Sequence, residues 1–573
     1  MRGFGALPPL LFVACALAGS GACTGHIGGG ASPGAEEAAC ATLEPGESPL
    51  RRMTRAEYDA TVRDLLGDTT RPAQQFAVEE EALGFDNQAS SLTVTQLLAE
   101  QLMKAAEDVA ARATEDLPGL LGCDPVTEGE DACVEAFLPS FGRRAFRRPL
   151  ASEELTRFSD LYAWGKAEFD FRTGVELVLQ TMLQSPHFLY RVELGGSAPV
   201  ERDVVALGPY ELASRLSFLF WGSMPDETLL DAAERGELGT PEELEAQARR
   251  LLADPRAREA VARFHVSWLG LSHVEELSKD TSVYPDYDET LRPLWREEAE
   301  RFLGHVVFEG SGTVEELFTA SYSFMNADLA AFYGVANGPS GAAFEQVELG
   351  PTERAGLLTL PAVLATYAKQ NQSSPVHRGK FVRERLLCQT LQPPPNNIKI
   401  EAPEVDPNAT TREQFAEHSE NPACSGCHVK MDPIGFGLEA YDGVGRYRET
   451  EHGLPIDTTG ELIDTVDADG PFDGARELAQ RLARSSEVRQ CVATQWFRFG
   501  YGRVEKEADV CNMRKVQETF AASGYDIREL LVALTQTDAF RYRHAIVSGA
   551  ATPSDETHTI TPPPGYLVGV RDE

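Results

Sequence analysis

From Leu50 onward the apolar residues recur at helical spacing. Thr54 and Glu57 form an S/T-x-x-E capping box, Tyr58, Val62, Leu65 and Leu66 follow on one face, and Gly67 stops the helix. Leu97, Leu98, Leu102 and Ala105 mark a second amphipathic helix, and Ser152 caps another that carries Leu155 and Phe158. Between about 205 and 335 helix follows helix. Leu212, Leu216 and Leu219 share one face, and Thr240-Pro241-Glu242-Glu243 is a capping box with proline at the first helical position. Val261, Phe264, Trp268 and Leu269 form the next stripe, and Leu291, Trp295, Phe302 and Val306 another. Aromatics at this spacing read as core. The last helical stretch runs from Gly474 to Arg543, and Trp496, Phe497, Phe499 and Tyr501 are too dense there for an exposed helix. The pattern predicts a mostly α chain of several helical domains in tandem, with no solenoid period.

The first 22 residues break this pattern and read as a signal peptide. Leu7 to Ala18 is apolar but, at about 12 residues, shorter than the roughly 20 a membrane-spanning helix needs. Ser20-Gly21-Ala22 before Cys23 resembles a lipoprotein processing site, at which Cys23 would be lipidated. Such sites carry leucine where Ser20 stands, so plain cleavage after Ala22 is the competing reading. Residues 23–48, rich in Gly, Ala, Glu and Ser, read as a flexible tether. The expectation is an exported protein of the periplasm or outer membrane, held at the membrane by a lipid anchor. Residues 551–573, rich in Pro, Thr and Asp, read as a disordered tail.

Length and charge narrow the picture. A chain of 573 residues exceeds the roughly 250–300 at which single cores stop growing. The net charge of −37 repels phosphate backbones and argues against nucleic acid as a partner. Arg143, Arg144, Arg147 and Arg148 stand out against it, and read as a helix end meeting its own dipole and nearby carboxylates rather than as an anion site. Asp464, Asp467, Asp469 and Asp473 do not align with a calcium loop and read as an acidic surface turn.

Eight cysteines remain after Cys15 and Cys23, and in an oxidising compartment they pair or carry a cofactor. Cys123 and Cys133 flank a short polar loop. Cys491–Cys511 is expected to staple two helices, which leaves Cys40 and Cys388 as a third pair. Cys424-Ser425-Gly426-Cys427-His428 has the C-x-x-C-H spacing of c-type haem attachment. Two thiols three positions apart on one helical turn can add to the two vinyl groups of one porphyrin, and the adjacent histidine can take the iron as axial ligand. One covalent haem c per chain is expected, on Cys424, Cys427 and His428. A small structural disulfide is the alternative. The sixth iron ligand is open among His377, His418, His452 and Met513, with His377 the candidate because it lies in Pro375-Val376-His377-Arg378-Gly379 of the same domain. The aromatics around Trp496 are expected to wall that pocket.

The run Lys430 to Tyr447, short and glycine-rich, resembles the signature of large proteins assembled from domains of unknown function 1587, 1595, 1592, 1588 and 1585. Leu50-Arg51-Arg52-Met53-Thr54-Arg55-Ala56-Glu57-Tyr58 is similar to the first unit, and Gly142-Arg143-Arg144-Ala145-Phe146-Arg147-Arg148-Pro149 to the second. Leu212 to Trp221 resembles the third, Ser374 to Lys380 with Pro393-Pro394-Pro395 the fourth, and Phe499-Gly500-Tyr501-Gly502-Arg503 with Asp538-Ala539-Phe540-Arg541 the last. The resemblance implies helical domains at 49–118, 119–195, 203–337 and 470–545. It adds a small cytochrome c-like haem domain at 350–450. It also implies an exported cytochrome-like protein but names no substrate; the leading expectation is electron transfer to a redox partner or envelope complex. A haem enzyme acting on a small oxidant or organic substrate, and a haem-free scaffold or binding protein with structural disulfides, are the alternatives.

Overall fold

Helix caps set the local structure. The computed structural model describes residues 40–350, 354–392, 405–419 and 422–546, with the backbone alone for 416–419 and 422–424. The leader, Cys23, most of the tether, the Pro393–Pro395 break and the 551–573 tail lie outside the described residues. Cys40–Leu43 is a turn at the end of a first unit, and the second unit begins at Glu44.

In the second unit β1 (Arg51–Arg52) leads into α1 (Arg55–Leu66). The Thr54 hydroxyl accepts from Glu57 N at 3.2 Å, the Glu57 carboxylate accepts from Thr54 N at 3.0 Å, and Gly67 ends the helix in the left-handed region. There follow α2 (Gln96–Ala113), α3 (Glu130–Ala145), α4 (Ser152–Glu168) and α5 (Phe171–Leu183). Ser152 is the first residue of α4 rather than its cap. Ala151 caps it, its N–H donated to Glu154 at 2.8 Å. These helices share one core built on Tyr58, Val62, Leu102, Phe137, Phe158 and Leu179. Antiparallel pairing of β1 with β2 (Tyr190–Arg191) closes it, with Arg51 opposite Arg191.

The four arginines of the α3 end are structural. Arg143 pairs with Glu227, Asp231 and Glu234, and Arg148 with Glu154. Buried Arg147 donates to the carbonyls of His187, Phe188 and Tyr190.

A second core takes in nearly everything after Val204. It is framed by a three-stranded sheet of β3 (Pro199–Glu201), β4 (Val204–Ala206) and the last strand among the described residues. Into it pack α6 (Pro209–Phe220), α7 (Pro241–Ala253), α8 (Ala257–Trp268), α9 (Leu291–Phe308) and α10 (Pro375–Phe381). After them come α11 (Pro422–Phe436), a hairpin of β5 (Thr459–Leu462) and β6 (Gly470–Asp473), and α12 (Gly474–Arg484). The chain closes with α13 (Ser486–Tyr501), α14 (Val510–Ala522), α15 (Ile527–Thr535) and β7 (Tyr542–His544), which pairs antiparallel with β4. The chain is thus mostly helical, but its helical segments share two cores.

Two expectations change here. Trp496 of α13 does not wall the C-x-x-C-H segment. It stacks on Phe264 of α8 with ring centroids 3.6 Å apart, and Phe499 packs edge-on to both rings. The Phe264–Trp268 stripe offers a flat aromatic face, which the motif segment lacks. Cys491 is bonded to Cys388, not Cys511, with Cα atoms 5.4 Å apart. α13 packs on the turn Val382–Leu386 that follows α10, and so brings the Cys388 region to Cys491. With Cys388 on Cys491, neither expected pair, Cys491–Cys511 or Cys40–Cys388, forms. Cys123 is joined to Cys133.

Candidate cofactor-attachment site

The C-x-x-C-H residues lie on α11. The helix runs on through Pro433 and Gly435 to Phe436, over a stretch whose proline and glycines suggested otherwise. Neighbouring backbone holds it in place. A Cβ on Gly379 of α10 would sit 2.0 Å from the Met431 carbonyl oxygen, and one on Gly435 would sit 2.0 Å from that of Pro375. A Cβ on Gly460 of β5 would meet the Pro433 oxygen at 2.2 Å. Glycine at these three positions lets α10 and β5 approach the α11 backbone far closer than side chains allow.

Buried charge fixes the same contact. Arg378 of α10 donates to the carbonyls of Leu438, Tyr441 and Asp442 and faces the buried Glu439 carboxylate at 3.5 Å. Arg448 and Ser373 also reach Glu439. Burial pushes the Glu439 carboxyl up, against the pull of the two arginines. Arg383, just beyond α10, donates to Lys430 O at 2.9 Å. The Pro375–Lys380 segment therefore clamps the motif helix.

On α11, Cys424 and His428 are four positions apart and so stack on one side of the helix. The Cys424 side chain lies outside the described residues. Cys427 is an exposed, unbonded thiol. His428 Nδ1 lies 2.9 Å from Asp432 Oδ2 and 3.1 Å from Oδ1, and Asp432 is buried. The hydrogen bond to Asp432 raises the His428 pKa. It also fixes the tautomer, because a neutral ring donating through Nδ1 carries its lone pair on Nε2. Asp432 is the residue sequence reasoning missed. Its signal was the i,i+4 spacing from His428, visible only once the segment is known to be helical.

The candidate second ligands fare differently. His377 is on α10, but Gly379 and Pro375 are the residues of α10 that meet α11, so position 377 lies roughly 200° round the helix from Pro375. It is exposed, hydrogen-bonded at Nδ1 to Ser374 Oγ at 2.6 Å. Lost hydration on its protein side, with Lys369 and Lys380 nearby, pushes its pKa down to about 4. The structure does not bring it together with His428. His452 sits exposed in a tight turn, and Met513 is buried in α14. The His418 side chain lies outside the described residues. Met431 is buried beneath Gly379. Of the four aspartates from 464 to 473, Asp469 accepts from Thr465, Asp467 from Ser485 and Ser486, Asp473 from Thr458, and Asp464 pairs with Lys430.

Fold and site define a helical, multi-segment protein that carries a C-x-x-C-H helix. Five family models match it in succession, each described as a protein of unknown function: DUF1587 over residues 51–115, DUF1595 over 133–193, DUF1592 over 207–335, DUF1588 (PSCyt3) over 354–451 and DUF1585 over 469–540. The chain belongs to the proteins assembled from these five domains. No curated protein and no solved structure matches it.

Proposed function

We propose that the protein is a c-type cytochrome-like electron carrier of the cell envelope. The observation that carries this is the Asp432–His428 pair on the helix that also presents the unbonded Cys427 thiol. A carboxylate on the far nitrogen of a ligating histidine is the usual means of orienting it and raising its basicity. The residues fit the group. Cys424 and Cys427 would hold it by thioether bonds and His428 Nε2 by the iron, where haem c supplies one-electron redox chemistry. Arg378, Arg383 and the three glycines keep the helix from shifting under the ligand. Export and a lipid anchor at Cys23 agree with the disulfides Cys123–Cys133 and Cys388–Cys491, since such bonds persist in oxidising compartments. A redox partner protein follows from the activity.

The test is full-length protein produced with haem-maturation machinery, run on a denaturing gel and stained for haem. Wild type should stain and Cys424→Ala/Cys427→Ala should not. An unstained wild type with a featureless visible spectrum would leave the scaffold reading in its place. Carbon monoxide binding to the reduced protein would favour the enzyme reading over electron transfer.

A further inference from the structure

The second unit holds a small, partly open cavity away from the motif helix, where four of the five family segments meet. Its volume is about 30 Å³, and its lining includes Arg51, Arg191, Glu193, Arg215, Tyr501 and Arg503. Four guanidinium groups converge there. Three have carboxylates. Arg51 is held by Glu57 at 3.2 Å, Arg215 by Glu193 at 2.5 Å and Arg503 by Asp509 at 2.6 Å. Glu47, at the cavity's outer edge, is taken by Lys506 at 2.5 Å.

Arg191 has none. It is only 9% exposed, and its Nε is buried without a hydrogen-bond partner. One face of its guanidinium packs on the Phe218 ring at 5.2 Å, which leaves the in-plane donors toward the cavity. The strand register places it directly opposite Arg51, whose Nε is also buried and unpartnered. Two like charges facing each other across a ladder repel, and a buried cation without a partner is costly. Burial and the Arg51 charge push the Arg191 pKa down to about 9, so it is still charged at neutral pH. The chain makes room for this arrangement. Gly502, at φ 61°, lies where a Cβ would strike Arg51 at 2.5 Å, and a Cβ on Gly46 would strike Arg503 at 2.8 Å.

We infer that this cavity is an anion site, and that it takes one small monovalent inorganic anion of the chloride class between Arg191 and Arg51. Charge selects the ligand. One guanidinium is left without a carboxylate of its own, so a single negative charge completes the set, and a cavity of about 30 Å³, where one water needs roughly 10–15 Å³, admits a small ion. The ion supplies the missing negative charge at a point where β1, β2, α6 and the end of α13 come together, and so ties the two cores to each other.

The test uses the full-length protein crystallised from bromide, with anomalous diffraction at the bromine edge. A peak in the cavity within hydrogen-bond distance of Arg191 is expected, and it should vanish in Arg191→Met. In solution, replacing gluconate by chloride at fixed ionic strength should raise the melting temperature of wild type and not of the variant. A cavity holding only water in bromide crystals would overturn the proposal, whatever the variant does. A bromide peak that survives in Arg191→Met would equally overturn the assignment.

Discussion

The Cys388–Cys491 bridge closes a loop of 103 residues that contains the motif helix, whereas Cys123–Cys133 closes one of 10. Chain-entropy arguments make the stabilisation grow with loop length, to about 4.7 kcal/mol for the long loop against about 2.7 for the short one. The long bridge should therefore matter more by about 2 kcal/mol. The perturbation is Cys388→Ala/Cys491→Ala against Cys123→Ala/Cys133→Ala, each pair confirmed by mass spectrometry. Urea unfolding followed by tryptophan fluorescence is the assay, because Trp221, Trp268, Trp295 and Trp496 are all buried in the second core while Trp164 is exposed. The first variant should lower the fluorescence midpoint markedly. The second should leave it nearly in place, since Cys133 belongs to the other core. An unchanged midpoint in the first variant, or an equal drop in both, would refute the reasoning.

Gly435→Ala should force α10 and α11 apart and destabilise by about 1–3 kcal/mol, as overpacking does, with haem content falling in parallel; a melting temperature equal to wild type would remove the cradle argument. Trp496→Ala should cost about 3–5 kcal/mol, read from the same urea transition, because its ring is stacked and fully enclosed. His265 of α8 is buried, and burial pushes its pKa down to about 4, against about 6.5 in the unfolded chain. The unfolded chain takes up the proton first, so this contribution is intact above pH 6.5 and is lost as pH falls toward 4, by about 3 kcal/mol in all. Wild type should lose correspondingly more stability over that window than His265→Phe, and parallel pH profiles would contradict it. Asp432→Asn should leave the fold in place, because it conserves shape, and shift the reduction potential of the haem-loaded protein; an unmoved potential would show that Asp432 has no hold on the ligand.

What the sequence disclosed was local. The Thr54–Glu57 and Thr240–Glu243 boxes are visible because each satisfies a helix end within four residues. The C-x-x-C-H spacing is local too. Asp432 escaped notice because Pro433, Gly435 and Gly437 speak against a helix, and only the packing of α10 and β5 on bare backbone explains why one persists there. The partner of Cys491 depends on where α13 packs, and nothing within a few residues of either cysteine encodes that. Trp496 was rightly read as buried, but its choice of Phe264 over the motif segment is decided by a helix more than 200 residues earlier.

The last strand among the described residues pairs with Val204–Ala206, more than 300 residues earlier. A chain emerges N-terminus first, at about 5–20 residues per second, so the first core, drawn almost wholly from residues before 190, can form while the rest is still being made. The second cannot. Its sheet waits for Tyr542–His544, and until then β4 presents an unpaired edge, the kind of surface that recruits foreign strands. Completion of that sheet spans more than 300 residues of separation, and so belongs to the slow, high-contact-order regime. A chain that stops at Arg541 would keep every buried aromatic of the second core, Phe540 included, and still be left with an adhesive edge.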